Sequence, residues 1–121
     1  RHSYNQAMRL AGDREAAQWL GGLNGGRGVF EWDAGNRTKN RKHGVETDDV
    51  EGLLQGPFVF EGRIVDPAHK EPRWLLLGAD ARGRRLALIF TRRGDRLRPI
   101  SCRPMRDNER RRYEKAFTRE A

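Results

Sequence analysis

The chain has 121 residues, 35% of them charged, a net charge of +8 and a mean hydropathy of −0.94. That length holds one domain, or one domain with an appendage, around a single core of modest size. It contains no apolar run of membrane-span length and no visible signal peptide, and the single Cys102 excludes an internal disulfide, so a cytoplasmic location is expected.

The composition borders on that of a disordered chain, but the apolar residues cluster in 74–78 and 86–90, the pattern of a folded sheet. From the N-terminus, residues 4–20 are expected to form a helix with Ala7, Leu10, Ala11, Ala17 and Leu20 as apolar positions, interrupted at Gly12-Asp13. Residues 21–28 are glycine-rich and have the composition of a flexible linker. Asp33 is placed to cap a helix over 34–43 that stops at Gly44, with Gly35 weakening it. A second helix over 46–55 carries Val50, Leu53 and Leu54 on one side and Glu46, Asp48, Asp49 and Glu51 on the other, ending at Gly56-Pro57.

Phe58–Glu61 is expected to be a short strand, followed by a loop over 62–72 that contains Pro67 and Pro72. Strands follow over 73–78 and 84–92, joined by a turn at 80–83. In the second of these, Leu86, Leu88 and Phe90 alternate with Ala87, Ile89 and Thr91, which predicts a central strand covered on both faces. A turn at 93–95 leads to a strand over 96–103. Pro99 cannot donate to a ladder there, so the strand lies at an edge or carries a bulge. Asp107 caps a final helix with Tyr113, Ala116 and Phe117 facing inward. Short links between strands imply an antiparallel sheet of four strands in an α+β fold.

Three pieces of sequence, in order and spacing, resemble one family. They are Phe30-Glu31-Trp32-Asp33, then Lys42-His43-Gly44-Val45, then Ile100-Ser101-Cys102-Arg103 followed by Glu109-Arg110 and Tyr113. Together they resemble the BrnT family of type II toxins, small ribonucleases with a RelE-like fold, over roughly residues 29–117. The resemblance implies an endoribonuclease that cleaves RNA and inhibits translation, neutralised by a cognate antitoxin. In such families the antitoxin is typically a ribbon-helix-helix DNA-binding protein, and assembly of toxin with antitoxin can join copies into a homo-oligomer. It also divides the chain into a toxin domain at 29–121 and an N-terminal extension at 1–28, expected to be dispensable for folding and not a native start, since Arg1 is not methionine. Three departures stand out: Cys102 at a place where a small residue is common, a 62–72 loop without a clear acidic cluster, and the extension itself.

The candidate site residues follow from charge and proton chemistry. Arginine stays charged and its planar fork matches phosphate oxygens. Arg98 and Arg103 are therefore expected to hold phosphate, with His43, Arg73 and Tyr113 as helpers and Arg93, Arg96, Lys42 and Arg110 as further RNA contacts. Strict alternation puts Arg96 and Arg98 on one face of their strand and Arg103 on the other; a bulge at Pro99 changes that parity. Arg73 follows Glu71 in a Glu-x-Arg pattern, open to a phosphate contact or an ion pair. His43 is a proton shuttle or a helix C-cap, and Tyr113 a substrate contact or a core residue. Trp32 anchors the first helix or stacks on a base, and Thr91 is a candidate site hydroxyl. Glu31 and Asp33 lack a third partner, and no Cys/His cluster has zinc spacing, so no metal and no cofactor are expected.

Residues 82–121 carry 14 Lys/Arg against 5 Asp/Glu, which points to a polyanionic partner such as RNA; a non-catalytic basic module that binds RNA or protein is the alternative reading. RNA affinity is expected to fall steeply with added salt as counterions are released. Binding isotherms at low and moderate salt check this, and a flat dependence contradicts it.

Overall fold

The computed structural model describes residues 8–23 and 27–118. The chain is α+β, built on a five-stranded antiparallel sheet whose strands neighbour one another in chain order. They are β1 (Arg9–Ala11), β2 (Phe58–Asp66), β3 (Trp74–Ala79), β4 (Arg85–Arg93) and β5 (Arg96–Pro104). Helices α1 (Arg14–Gly21), α2 (Thr47–Gly52) and α3 (Asp107–Thr118) complete it, with short 3-10 turns at Lys39–His43 and Leu53–Gln55.

The fifth strand is β1, where a helix over 4–20 was expected. Gly12-Asp13 does not interrupt a helix; it separates a strand from one. The Asp13 carboxylate accepts the Ala16 N–H at 3.0 Å, the role of an N-cap, and its other oxygen accepts the Trp74 indole N–H at 2.8 Å. Strand β1 lies close against Gly62, whose φ is +125° and where a Cβ would come within 2.5 Å of the Ala11 carbonyl oxygen. Ala16 and Leu20 of α1 are buried in the main core. The parts of the expected extension and linker at residues 1–7 and 24–26 lie outside the described residues.

The helix expected over 34–43 is replaced by tighter turns. Asp33 caps, but it caps a turn: its Oδ1 accepts the N–H groups of Gly35 and Asn36 at 2.8 and 3.2 Å. The chain then makes the 3-10 turn Lys39–His43, ended by Gly44 at φ +71°. The helix expected over 46–55 is there as α2 and the turn after it, with Val50 and Leu53 buried. Strand β2 runs nine residues, well past the expected Glu61, because a bulge between Phe60 and Gly62 breaks the alternation that marks a strand in sequence.

Strands β3 and β4 are covered on both sides, as their apolar runs predict. Leu76, Leu86, Leu88 and Phe90 meet Phe30, Val50 and Leu53 on one face. Leu75, Leu77 and Ala87 meet Ile64, Met105 and Tyr113 on the other, under α3. Phe117 of α3 is not inward-facing; it is 45% exposed and rests edge-on against Tyr113, with ring centroids 4.9 Å apart.

Strand β5 is both an edge strand and bulged. Phe90 pairs with Pro99 and Ile89 with Ser101, so Ile100 is the extra residue. Asn36 donates its Nδ2–H to the Pro99 carbonyl at 3.0 Å, and the Asn40 Oδ1 accepts the Cys102 N–H at 2.9 Å. Among the described residues, the outer edge of β5 also makes one isolated parallel bridge, Phe30 to Leu97. The bulge reverses the parity beyond it, so Arg96, Arg98, Ser101 and Arg103 share one face.

Since Leu20 sits at 3% exposure in the core, Leu20→Ala is expected to cost about 2–5 kcal/mol, and deletion of residues 1–22 more. Urea unfolding monitored by circular dichroism measures both. An unchanged midpoint in the deletion variant would show that β1 and α1 are not docked in solution.

Candidate functional site

The sheet face under α3 is only partly covered. Beyond the helix it opens into a cleft of about 350 Å³ between β2, β4, β5 and the loop over 67–73. Its apolar lining is Met8, Ile64, Pro67, Ile89 and Ile100. Its polar lining is Lys39, His69, Arg73, Ser101 and Arg106, with no carboxylate among the described residues that line it.

Each wall is held from behind. The Thr91 hydroxyl, expected as a site group, is buried and donates to the Pro72 carbonyl at 2.7 Å, fixing the loop just before Arg73. Backbone bonding continues where the Ile64 N–H donates to the Arg73 carbonyl at 2.8 Å. Arg73 itself is half-buried, and its Nε is buried without a hydrogen-bond partner. Arg106 leads into α3, where the Glu109 carboxylate accepts the Arg106 backbone N–H at 2.8 Å.

Arg98 and Arg103, the expected phosphate holders, have their guanidinium groups on carboxylates. Arg98 donates to Asp33 at 2.9 Å and to Glu31 at 3.2 Å. That contact, with the Gly35 and Asn36 N–H groups, holds the Asp33 carboxyl below the usual carboxylate range despite some desolvation. Arg103 grips Glu109 with both nitrogens, at 2.7 and 2.9 Å. Both arginine side chains are only 15% exposed. Arg93 pairs with Glu71 and Glu31, so Glu71 partners Arg93 and not the neighbouring Arg73.

The other expected residues scatter. Tyr113 is a core residue: its ring lies under Arg85 and its hydroxyl donates to the Pro57 carbonyl at 3.1 Å, away from the cleft. His43 and Lys42 are exposed at the end of the 3-10 turn and do not line the cleft, while Lys39 at the start of that turn does. Arg110 pairs with Asp107 on the exposed side of α3, and Arg96 is exposed in β5. Trp32 donates its indole N–H to Glu51 at 2.8 Å, an anchoring role. Burial pushes the Cys102 thiol up to about 12, so it stays protonated and unreactive.

Of the expected site residues the cleft gathers Arg73, and it adds Lys39, His69, Ser101 and Arg106. Ser101 was visible in the Ile-Ser-Cys-Arg string; Lys39, His69 and Arg106 carry no motif of their own and are united only by the fold. No group of three or more His, Cys, Asp or Glu able to hold a metal occurs among the described residues, and none of their helices is long and apolar enough to cross a membrane.

Glu109 is the buried anchor of this architecture, at 2% exposure. Burial alone favours its neutral form, but the Arg103 guanidinium and the Arg106 N–H outweigh it, and its pKa is lowered overall. A carboxylate with a lowered folded-state pKa stabilises above its unfolded value and loses that contribution as pH falls through the folded one. Glu109→Gln is therefore expected to lose about 3 kcal/mol near neutral pH and to flatten the acid limb of stability against pH. Urea midpoints across the acid range test this; an acid limb equal to that of the wild type contradicts it.

Comparison with known proteins complements the geometry. No curated protein matches the chain significantly. A family model described as the ribonuclease toxin BrnT of type II toxin–antitoxin systems matches residues 32–109, from Trp32 through β5 to Glu109. That span is more than half of the chain, and it contains most of the cleft walls together with the ion pairs behind them. The chain therefore belongs to the BrnT family of ribonuclease toxins of type II toxin–antitoxin systems.

Proposed function

We propose that this toxin binds single-stranded RNA in the cleft and cleaves it without a metal ion, using the RNA 2′-hydroxyl as nucleophile. One observation carries the reading: a carboxylate-free lining in which Lys39, Arg73 and Arg106 surround a single imidazole, His69. Such a site attracts phosphate and offers a divalent cation no anionic ligand. Arg73 lines the cleft half-buried, and its planar guanidinium fork matches phosphate oxygens.

In this mechanism the 2′-oxygen attacks the adjacent phosphorus as its proton passes to His69. The bond from phosphorus to the 5′-oxygen breaks, and that oxygen takes a proton from water. The products are a 2′,3′-cyclic phosphate and a 5′-hydroxyl. Arg73, Arg106 and Lys39 stabilise the charge that grows on the phosphoryl oxygens. Imidazoles accept and donate protons near neutral pH, and His69 is the one imidazole of the lining. Arg98 and Arg103 act as positioning residues: Arg98 holds the 31–33 segment to β5, and Arg103 fixes the start of α3 through Glu109. The antitoxin partner in this reading is a ribbon-helix-helix protein that lays an acidic segment over the same cleft, and the assembly joins toxin copies. Charge complementarity with the basic lining supports that placement.

Arg73→Ala and Arg106→Ala are each expected to lower kcat/KM on RNA about a hundredfold, with His69→Ala comparable and His43→Ala near wild type. Activity is expected to persist in excess EDTA and to be absent on a 2′-deoxy substrate. Gel assays with purified protein, alongside circular dichroism for folding, decide the matter. Loss with EDTA or cleavage of the deoxy strand overturns the chemistry, and full activity in all three cleft variants overturns the site.

A further inference from the structure

The cleft is not uniformly basic. Lys39, His69 and Arg106 of its lining are exposed, whereas Ile64 is 5% exposed and Ile89 and Ile100 are half-buried beside Arg73, so the deeper lining is largely aliphatic. A site that only tracked a phosphate backbone needs no apolar floor, and one that bound an apolar ligand needs no ring of cations. A nucleotide has both characters, a flat apolar base and a charged phosphate. We propose that the cleft seats one unstacked nucleotide of an RNA strand, its base on Ile64, Ile89 and Ile100 and its phosphate on Arg73 and Arg106. The proposal rests on the reading of this cleft as the RNA site and adds to it what the floor recognises.

The dimensions agree. At about 350 Å³ the cleft falls near the lower end of the range for small-ligand sites, about 300–1,000 Å³. It admits one nucleotide and is too small for a helix. In a duplex the base faces are stacked and hidden, so seating requires a single strand or a nucleotide swung out of its stack. No phenylalanine, tyrosine or tryptophan lines the cleft among the described residues, so the base is held mainly by contact with branched aliphatic side chains. Every base has an apolar face, so such a floor discriminates little among bases. Besides the lysine and arginines, the described lining offers only the Ser101 hydroxyl and the His69 ring as side-chain hydrogen-bonding groups, which leaves little means of reading a base edge. The β5 bulge makes the floor possible: Ile100 is its extra residue, and it lines the cleft beside Ser101.

The test uses the full chain and a short single-stranded 2′-O-methyl oligonucleotide, which cannot be cleaved, read by fluorescence anisotropy. Its counterparts are the same strand with abasic sites and the same sequence as a duplex. The intact strand is expected to bind about tenfold more tightly than the abasic strand and the duplex. Ile100→Ala is expected to erase most of that difference while leaving the salt dependence of binding unchanged. Ile89→Ala serves the same purpose if melting curves show that Ile100→Ala is poorly folded. Equal affinity for intact and abasic strands, or a difference that survives both variants, overturns the base seat. If Arg73→Ala also leaves affinity for every strand unchanged, the RNA reading of the cleft fails with it.

Discussion

Pro99 has no N–H to give the β4–β5 ladder, and β5 swells by one residue directly after it. The Pro99 carbonyl and the Cys102 N–H flank that swelling, and the side chains of Asn36 and Asn40 meet them. Each bond contributes only about 1 kcal/mol net, but leaving either buried group unpaired costs about 1–3 kcal/mol. The two asparagines therefore tie the whole 30–44 segment to the sheet edge. With that segment in place Phe30 fills the core, Glu31 and Asp33 reach Arg98, and Lys39 stands at the mouth of the cleft. The Phe30-Glu31-Trp32-Asp33 string, of which Trp32 and Asp33 fall within the family match, is in this molecule the clamp on β5.

The same economy governs the charges. Arginines that looked alike in sequence differ in their partners. Arg84 ties the β3–β4 turn to α2 through Asp80 and Asp49, while Arg93, Arg98 and Arg103 are held by carboxylates at the sheet edge and the start of α3. Arg73 and Arg106 share with Lys39 and His69 one concavity whose described lining has no carboxylate, although Glu109 lies near Arg106 behind it. A cationic lining of that kind attracts anions more than arginines whose charge is already paired.

Legibility in the sequence followed period and range. Strands β3, β4 and β5, α2 and α3 were readable because their apolar spacing is local and regular. Strand β1 was not: three residues with two exposed side chains carry no pattern, and their partner lies fifty residues on in β2. The 34–43 segment read as a helix because a good cap preceded it, but Asp33 and Asn36 bond each other's backbone and close a turn instead. The partners of the expected site arginines were illegible for the same reason of range. Whether Arg98 is free depends on Glu31 and Asp33, more than sixty positions away, and no local signal reports that pairing. Arg73 was singled out as open to a phosphate contact or an ion pair, and the fold gives the adjacent Glu71 to Arg93.

One lip of the cleft is Met8, which precedes β1 and lies outside the residues 32–109 that match the family. The rest of the described lining falls within the matched span, whereas this lip precedes it. Such a division would let mutation reshape the entrance without disturbing the framework proposed to bind phosphate. A ribonuclease and its inhibitor must change together to remain a pair, and a lip outside the proposed phosphate-binding frame offers a place where partner choice can change while that chemistry is kept.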